Sequence, residues 1–369
     1  MNGPLLWCMR IVSAALMLSA LGLVHASPKV ADGASIERIE IDEPYDAGWE
    51  FYFDNDVFLG STKDRNYTGG IALTLAGRRA AEYPYSLDGL LSRLNHFSNF
   101  EPRRLEHSHF HRHAIEFGIT LFTPDDITSS APVTDDHPYA NLLFMANSRI
   151  DVDPERGRIY QSSLMLGILG TPIGEQVQKQ IHHLTDSEIP QGWDNQISDG
   201  GELTFKHSLS VHQMLLVHKG NLSYDLRGGL EAGLGYTTDV RASLSARWGK
   251  LSTPWWSFTP HQNEYINLGQ TLSNKTKQGV NAPEFYLSGG VQVKYRLYNA
   301  LLQGQLRESP VTFDHDELEP VILSAWLGVN KTFSSGLGLS LVIQAQSNEI
   351  DDPDLPNTVW GGLVVSKVY

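Results

Sequence analysis

The sequence predicts an all-β protein, a twelve-stranded antiparallel β-barrel of the outer-membrane type with a short helix in an extracellular loop. Three observations support this prediction. The chain opens with an export signal, and twelve later segments alternate between two kinds of side chain. After the signal, no run matches the roughly twenty apolar residues that a transmembrane helix needs.

Residues 1–26 have the pattern of a secretory signal peptide. Arg10 supplies an early positive charge, an apolar run follows, and small residues ending at Ala26 mark a cleavage site. We therefore expect export, with residues 27–369 forming a single barrel domain. Because Cys8 lies inside the signal and is the one cysteine of the sequence, disulfides are not expected in the exported chain.

The sequence is acidic, with a formal net charge of −14. An acidic surface repels the phosphates of nucleic acids, so we expect no nucleic-acid partner. A soluble periplasmic β-sandwich and an outer-membrane barrel are both compatible with an exported acidic chain. Twelve long strands with little helix between them favour the barrel, which we expect to be a monomer embedded in outer-membrane lipid.

The strand pattern is clear in the segment 67–76, "YTGGIALTLA". Tyr67, Ile71 and Leu73 fall on one face, which suits lipid. Thr68 opens the other face, whose small and polar residues suit the barrel interior. The predicted strands are 48–54, 67–76, 114–122, 139–152, 157–169, 200–217, 222–236, 238–249, 283–299, 318–331, 335–347 and 358–369.

Connections that follow odd-numbered strands face the cell exterior if the chain enters the barrel from the periplasm. The main ones are 55–66, 123–138, 170–199 and 300–317, and three of the four are long, as extracellular loops usually are. Two connections on the periplasmic side, 77–112 and 250–282, are also long. They depart from the short turns that are typical of that side.

The connection 170–199 is predicted to contain a helix, with Thr171 as its N-cap and Pro172 as its first residue. An apolar stripe is expected to dock this helix: Ile173, Val177, Ile181 and Leu184. A polar stripe beside it consists of Glu175, Gln178 and His182, and Glu188 follows the helix. A single histidine on a helix flank is usually solvated, but the neighbouring amide and carboxylate favour a functional role for His182.

Six sequence blocks resemble the outer-membrane lipid A 3′-O-deacylase family and occur in family order. They are "FDNDVF", "DRNYTGG", "LFTPDD", "DDHPYAN", "LGILGTPIGEQVQKQIHHLTDSEIPQGWDNQ" and "YNALLQGQ". The resemblance implies a twelve-stranded barrel whose site lies between the wall and the helix of an external loop. It also implies a divalent cation, typically Ca²⁺, and removal of the 3′-linked acyloxyacyl group from the lipid A of lipopolysaccharide.

The resemblance also assigns the family's site residues to positions in this sequence. They are Asn55 and Asp56 for its Asn-Asp pair, Thr68 for its second-strand hydroxyl, and Gln178, His182 and Glu188 for the loop helix and the segment after it. Simple alternation along the first two strands turns Asp56 and Thr68 inward and Asn55 outward, unless the strand bulges or ends there.

The predicted chemistry is hydrolysis of an ester. We expect Asp56, Glu188 and Thr68 to supply oxygen ligands for Ca²⁺, which prefers hard donors and can polarise an ester carbonyl. Arg65 is a candidate contact to a lipid A phosphate.

The remaining predicted site residues act on water and on the carbonyl. His182, neutral near physiological pH, is the predicted base that takes a proton from the attacking water. Asn55 and Gln178 cannot titrate, so we assign them to orienting the water or the carbonyl.

Other motifs and other functions remain open alternatives. His96 and Ser98 of "NHFSNF" resemble the His-x-Ser-Asn of other outer-membrane acyl hydrolases, but they follow a predicted helix on the periplasmic side. The histidines of "HSHFHRH" share one strand face and suit adventitious metal binding or a polar girdle: His107, His109, His111 and His113. An outer-membrane phospholipase and a non-enzymatic pore or structural barrel are the alternative functions.

Overall fold

The computed structural model describes residues 29–30, 42–55, 66–98, 100, 110–258 and 282–369. Within them, twelve strands form a closed antiparallel barrel, because each strand pairs with its sequence neighbours and the last pairs with the first. This confirms the predicted fold class. The barrel strands are β1 (Gly48–Asn55), β2 (Asn66–Ala76), β3 (Phe110–Thr123), β4 (Ala140–Asp153), β5 (Arg158–Leu169), β6 (Glu202–His218), β7 (Ser223–Gly235), β8 (Thr237–Lys250), β9 (Glu284–Asn299), β10 (Val321–Thr332), β11 (Leu337–Gln346) and β12 (Thr358–Val368).

Short helices occupy several connections between the strands. They are α1 (Arg79–Glu82), α2 (Asp88–Ser98), α3 (Pro172–Thr185) and α4 (Ala300–Gln303), with 3₁₀ turns at Trp193–Asn195, Trp255–Ser257 and His315–Glu317. A two-residue strand, Lys29–Val30, pairs in parallel with β6. In the described parts of the chain, no helix is long and apolar enough to span a membrane.

The outer surface of β8 to β11 follows the predicted alternation closely. Exposed and buried side chains alternate along β10 from Val321 to Asn330. The outward residues are large and apolar, such as Leu323 and Leu327, whereas the inward residues include the buried polar side chain of Ser324. Such a bare apolar surface suits contact with lipid.

The barrel interior contains both ion pairs and a packed aromatic cluster. Arg247 Nη2 lies 2.6 Å from Asp225 Oδ2, and both side chains are almost fully enclosed. Near the ends of β1 and β3, Tyr67 packs edge-on against Trp360 and at a tilt against Phe122. Side chains therefore fill much of the interior around Tyr67, at the end of the barrel where β1 and β3 finish.

The long connection between β2 and β3 covers the outside of the barrel. Its helix α2 confirms the helix predicted before "NHFSNF". Asn95 of α2 donates from Nδ2 to Ser162 Oγ at 2.7 Å, and Ser162 shares the outward face of β5 with the exposed Leu166. The connection is long because it packs against the wall instead of simply turning the chain.

A β-bulge in β2 changes the faces that simple alternation predicts. The register against β3 shifts between Tyr67 and Gly69, which leaves Thr68 as the extra residue. Tyr67 turns into the interior, where its hydroxyl donates to Asp54 Oδ1 at 2.7 Å. The predictions that Tyr67 faces lipid and that Thr68 faces inward are therefore wrong, since alternation does not anticipate an extra residue.

Candidate functional site

A cleft of about 360 Å³, partly open to solvent, separates α3 from the wall formed by β1, β2 and β3. Its apolar lining consists of Phe53, Ile71, Ile119, Leu121, Val177 and Ile181. Asn55, Thr68, Gln178 and His182 are among its polar lining residues. The structure thus brings together four of the residues that the sequence predicts for the site.

The cleft lies on the outer, lipid-facing side of the wall. Phe53 is two residues from the exposed Phe51, and Ile119 is two residues from the exposed Phe117, so each pair shares the outward face of its strand. Ile119 is nevertheless only 8% exposed, because α3 and the segments beside it cover this part of the wall. A lipid can approach such a cleft from the plane of the membrane.

Asn141, at the start of β4, fastens α3 to the wall. Its Oδ1 accepts from the Thr171 hydroxyl at 2.8 Å, and its Nδ2 donates to Thr171 O at 2.9 Å and Gln196 Oε1 at 2.6 Å. Thr171 is the N-cap residue, as predicted, but its hydroxyl donates to Asn141 and makes no capping hydrogen bond to the helix. Gly174 permits this approach, since a Cβ there would lie 2.6 Å from Asn141 Nδ2.

The polar stripe of α3, and not the start of its apolar stripe, faces the wall. Gln178 is 1% exposed and His182 is 6% exposed, whereas Ile173 is 40% exposed. The predicted docking role is wrong for Ile173, although Val177 does pack against the apolar cluster on the wall. Gln178 and His182 are buried because nearby groups satisfy their hydrogen bonds, whereas Glu175 is only partly buried and pairs with Lys179. The burial of His182 argues against a solvated side chain.

Trp193 sets the orientation of Gln178. Its indole Nε1 donates to Gln178 Oε1 at 2.8 Å, which turns the amide nitrogen of Gln178 into the donor on the other side. Trp193 is 2% exposed and its ring packs at 5.0 Å from that of Tyr139. Gly192 allows this contact, because a Cβ there would lie 2.5 Å from the Tyr139 ring.

The main chain after α3 sets the tautomer of His182. Its Nδ1–H donates to the main-chain carbonyl oxygen of Glu188, so Nδ1 carries the proton and the basic lone pair is on Nε2. Glu188 is exposed, and its main-chain carbonyl makes the hydrogen bond to His182.

Asn55 and Thr68 meet where β1 ends. Asn55 Nδ2 donates to Thr68 O at 2.7 Å, and the Thr68 hydroxyl lies 2.7 Å from the Thr123 hydroxyl. Asn55 lines the outer cleft, as alternation predicts, and the bulge brings Thr68 to the same side. Asp56 and Arg65, the other two predicted residues of this region, lie outside the described residues.

The donor chemistry of the cleft fits a hard cation. Asn55 and Thr68 offer amide and hydroxyl oxygens, which Ca²⁺ accepts as ligands. Softer transition metals prefer thiolate or imidazole ligands. Among the described residues that line the cleft, His182 is the one side chain of these two types.

Asp54 is a supporting residue that the sequence reasoning did not assign. It is 2% exposed and faces the interior, directly before Asn55. Tyr52 donates to its Oδ2 at 2.8 Å, and Tyr67 donates to its Oδ1 at 2.7 Å. These bonds fix the end of β1 from the inner side. The only sequence signal for this role is the acidic residue at the inward position of an aromatic strand.

The competing pair His96 and Ser98 does not form a catalytic arrangement. Both lie on α2, which is connected to the end of the barrel opposite the cleft. Ser98 is buried and its hydroxyl donates to Asn95 O at 3.1 Å, whereas His96 is exposed. Residues two apart on a helix point in nearly opposite directions, so they cannot act as a pair.

Comparisons with solved structures found similar proteins. The chain is similar in structure to LpxR from Salmonella typhimurium, with a TM-score of 0.65 and 13% identity over 88% of this chain and 100% of the other. It also matches the β domain of the Bordetella autotransporter BrkA, with a TM-score of 0.41 and 9% identity over 88% of this chain and 100% of that domain. No curated protein matches the sequence.

The family comparison covers almost the whole chain. The model of the family described as "Outer membrane protein LpxR" matches residues 12–369. This places the barrel in the bacterial outer membrane as an integral protein. The chain belongs to the LpxR family of outer-membrane proteins.

Proposed function

We propose that this protein is a lipid A 3′-O-deacylase that hydrolyses the ester linking the 3′-acyloxyacyl group. The observation that carries the proposal is a cleft on the lipid-facing wall that combines apolar walls with His182, Gln178, Asn55 and Thr68. A membrane lipid can place acyl chains against the apolar lining while its ester reaches the polar end. We expect the connections that follow odd-numbered strands, and with them this end of the barrel, to face the cell exterior, where lipopolysaccharide is available as the substrate.

His182 is the proposed general base. Because its Nδ1 proton is held by the Glu188 carbonyl, Nε2 takes a proton from water as the water oxygen attacks the ester carbonyl. The ester C–O bond then breaks, and the imidazolium returns the proton to the leaving sugar oxygen. Burial of the ring under α3 keeps its orientation fixed through both steps.

Gln178 and Asn55 are proposed to position the reacting groups. Trp193 holds the Gln178 carbonyl, so its NH₂ group is oriented as a donor for the oxyanion that develops on the ester. The Asn55 amide nitrogen donates to Thr68 O. This bond leaves Asn55 Oδ1 directed towards the attacking water, which it orients.

A divalent cation, Ca²⁺, is the proposed cofactor. Thr68 would contribute an oxygen ligand, with Asp56 and Glu188 as the carboxylates that the family resemblance adds. When bound, the cation supplies Lewis-acid polarisation of the ester carbonyl. Arg65 is proposed to contact a lipid A phosphate, and the barrel is proposed to act as a monomer.

The test uses the detergent-solubilised exported chain with purified lipid A, in Ca²⁺ or in EDTA, followed by mass spectrometry. The proposal predicts calcium-dependent loss of one acyloxyacyl group. Parallel reactions with phospholipid distinguish an outer-membrane phospholipase, which would release fatty acid there instead. Unchanged lipid A under both conditions would overturn the proposal, and conductance in planar bilayers would then test the pore alternative.

A further inference from the structure

A second cluster of metal-binding side chains lies at the end of the barrel opposite the cleft. Glu43, His111 and His113 each place one potential ligand atom so that the three atoms lie within 4.8 Å of one another. Glu43 precedes β1, and the two histidines open β3. None of them belongs to the cleft described above.

The strand geometry places the two histidines side by side. His111 and His113 are two residues apart on β3, so both point to the outer face, and their ring centroids are 5.2 Å apart. Glu43 approaches from the segment before β1. Its Oε2 lies 2.8 Å from His113 Nδ1, and its Oε1 accepts from the His113 main-chain amide at 2.6 Å.

The surroundings are mostly acidic. Asp88, at the start of α2, has its Oδ1 3.7 Å from His113 Nε2. Asp151 lies opposite His111 on β4 and is paired with Arg149 at 3.1 Å, so the arginine charge is already offset. His113 is 7% exposed and is thus held in place, whereas His111 is exposed and able to move.

We propose that Glu43, His111 and His113 bind a divalent transition-metal ion of the Zn²⁺ class. Two imidazoles and one carboxylate form a ligand set that suits zinc and does not suit calcium. Metal–nitrogen bonds of about 2.1 Å hold ligand atoms roughly 3.4 Å apart, so closing the widest present spacing of 4.8 Å needs a movement of up to about 1.4 Å. The exposed His111 side chain supplies that movement.

The bound ion would join the segment before β1 to β3, and its fourth position is open to water. Asp88 of α2 lies beside the other ring nitrogen of His113, so it supports the ring and does not bind the ion. A simple contact between His113 and Glu43 explains the shortest distance but gives His111 no role. Substitution of His111 therefore distinguishes a metal site from a pair of bonded side chains.

The experiment is Zn²⁺ titration by calorimetry on the folded, full-length exported chain, purified without a polyhistidine tag. Absorbance of the Co²⁺-substituted protein reports tetrahedral coordination independently. The proposal predicts that the protein binds about one equivalent of zinc and that His111→Ala weakens binding by at least about tenfold. His113→Ala should have the same effect, but His111→Ala is decisive because the His111 ring is exposed, so we expect its removal to leave the fold intact.

Two controls keep the assignment specific. His96→Ala changes an exposed histidine of α2. The double variant His107→Ala/His109→Ala removes two histidines that precede β3 in the sequence and lie outside the described residues. Both variants should bind zinc like the unmodified protein. Absence of zinc binding to the unmodified protein would overturn the proposal. So would unchanged binding in His111→Ala, or loss of binding confined to the His107/His109 variant.

Discussion

The two sides of the barrel wall differ in what lies on their outer surface. On β8 to β11, outward side chains such as Val291 and Leu327 are 56% and 61% exposed. On β3, the outward Ile119 and Leu121 are 8% and 5% exposed, because α3 and its neighbours cover them. The bare wall thus offers an apolar surface to lipid, whereas the part of β3 under α3 is buried on both faces.

This difference indicates where to search a barrel for function. The candidate cleft and the proposed metal site lie at opposite ends of β3, and both occur where a connection packs against the outer face. A lipid-facing surface needs only apolar side chains. A covered surface can bury histidines, amides and carboxylates, since the covering segment supplies their hydrogen-bond partners.

The largest expected effect on stability comes from charging the bare wall. Leu327→Arg should lower the free energy of unfolding by about 2–4 kcal/mol, because the charge would face the middle of the bilayer. Unfolding in urea, with the barrel in lipid vesicles, measures this change. Leu327→Ala is the control and should cost far less. Equal stability of the two variants would show that this wall does not face lipid.

The close packing of α3 against the wall is tested by adding a methyl group at Gly174, where the helix meets Asn141. Gly174→Ala should destabilise the protein by about 1–3 kcal/mol, since the new methyl group would collide with the bonded Asn141 side chain. Lipid A deacylation should fall with it, because α3 moves away from the wall. Gly89→Ala in α2 is the matched control, as a Cβ there meets no atom within 4 Å. If the two variants behave alike, the close contact of α3 with the wall is contradicted.

A smaller effect is expected from the support of Gln178. Trp193→Phe keeps most of the ring packing but removes the hydrogen bond to Gln178 Oε1. We expect a loss of about 1 kcal/mol of transition-state stabilisation, or about fivefold in deacylation rate, with little change in stability. Rate measurements at saturating lipid A test this. An unchanged rate would mean that the amide is not part of the reaction.

The smallest effect concerns pH. Burial lowers the pKa of His137 below the ordinary value of 6.5, against the attraction of Glu349 and Asp136. Its ring stacks on Phe122 in the connection that follows β3. Because folding disfavours the protonated form, His137 should reduce stability as the pH falls below about 6.5. In unfolding measurements, His137→Gln should weaken this acid sensitivity, and an identical pH profile would contradict the assignment.

The strands could be predicted from sequence because alternation is a local property. Nearly all strand boundaries fall within a few residues of those predicted, and α3 begins at Pro172 as expected. The pairing of His182 with Gln178 followed from helical spacing and the family resemblance, and both side chains line the cleft.

The rest depended on contacts between distant parts of the chain. The bulge at Thr68 arises from pairing with β3, so no property of β2 alone reveals it. The exposure of Ile173 depends on Asn141, which draws the start of α3 to the wall through Thr171. The bond from Trp193 to Gln178 spans 15 residues, so no local pattern predicts it.

The central claim is that the cleft under α3 is a lipid A deacylase site, and two adjacent histidines test it directly. His182 is buried in the cleft, whereas His183 is exposed on the same helix. In mass spectra of lipid A incubated with each variant, His182→Ala should reduce deacylation by at least about 10²-fold, as expected for loss of a general base. His183→Ala should leave it unchanged. Full activity in His182→Ala, or equal loss in both variants of the folded barrel, would contradict the account.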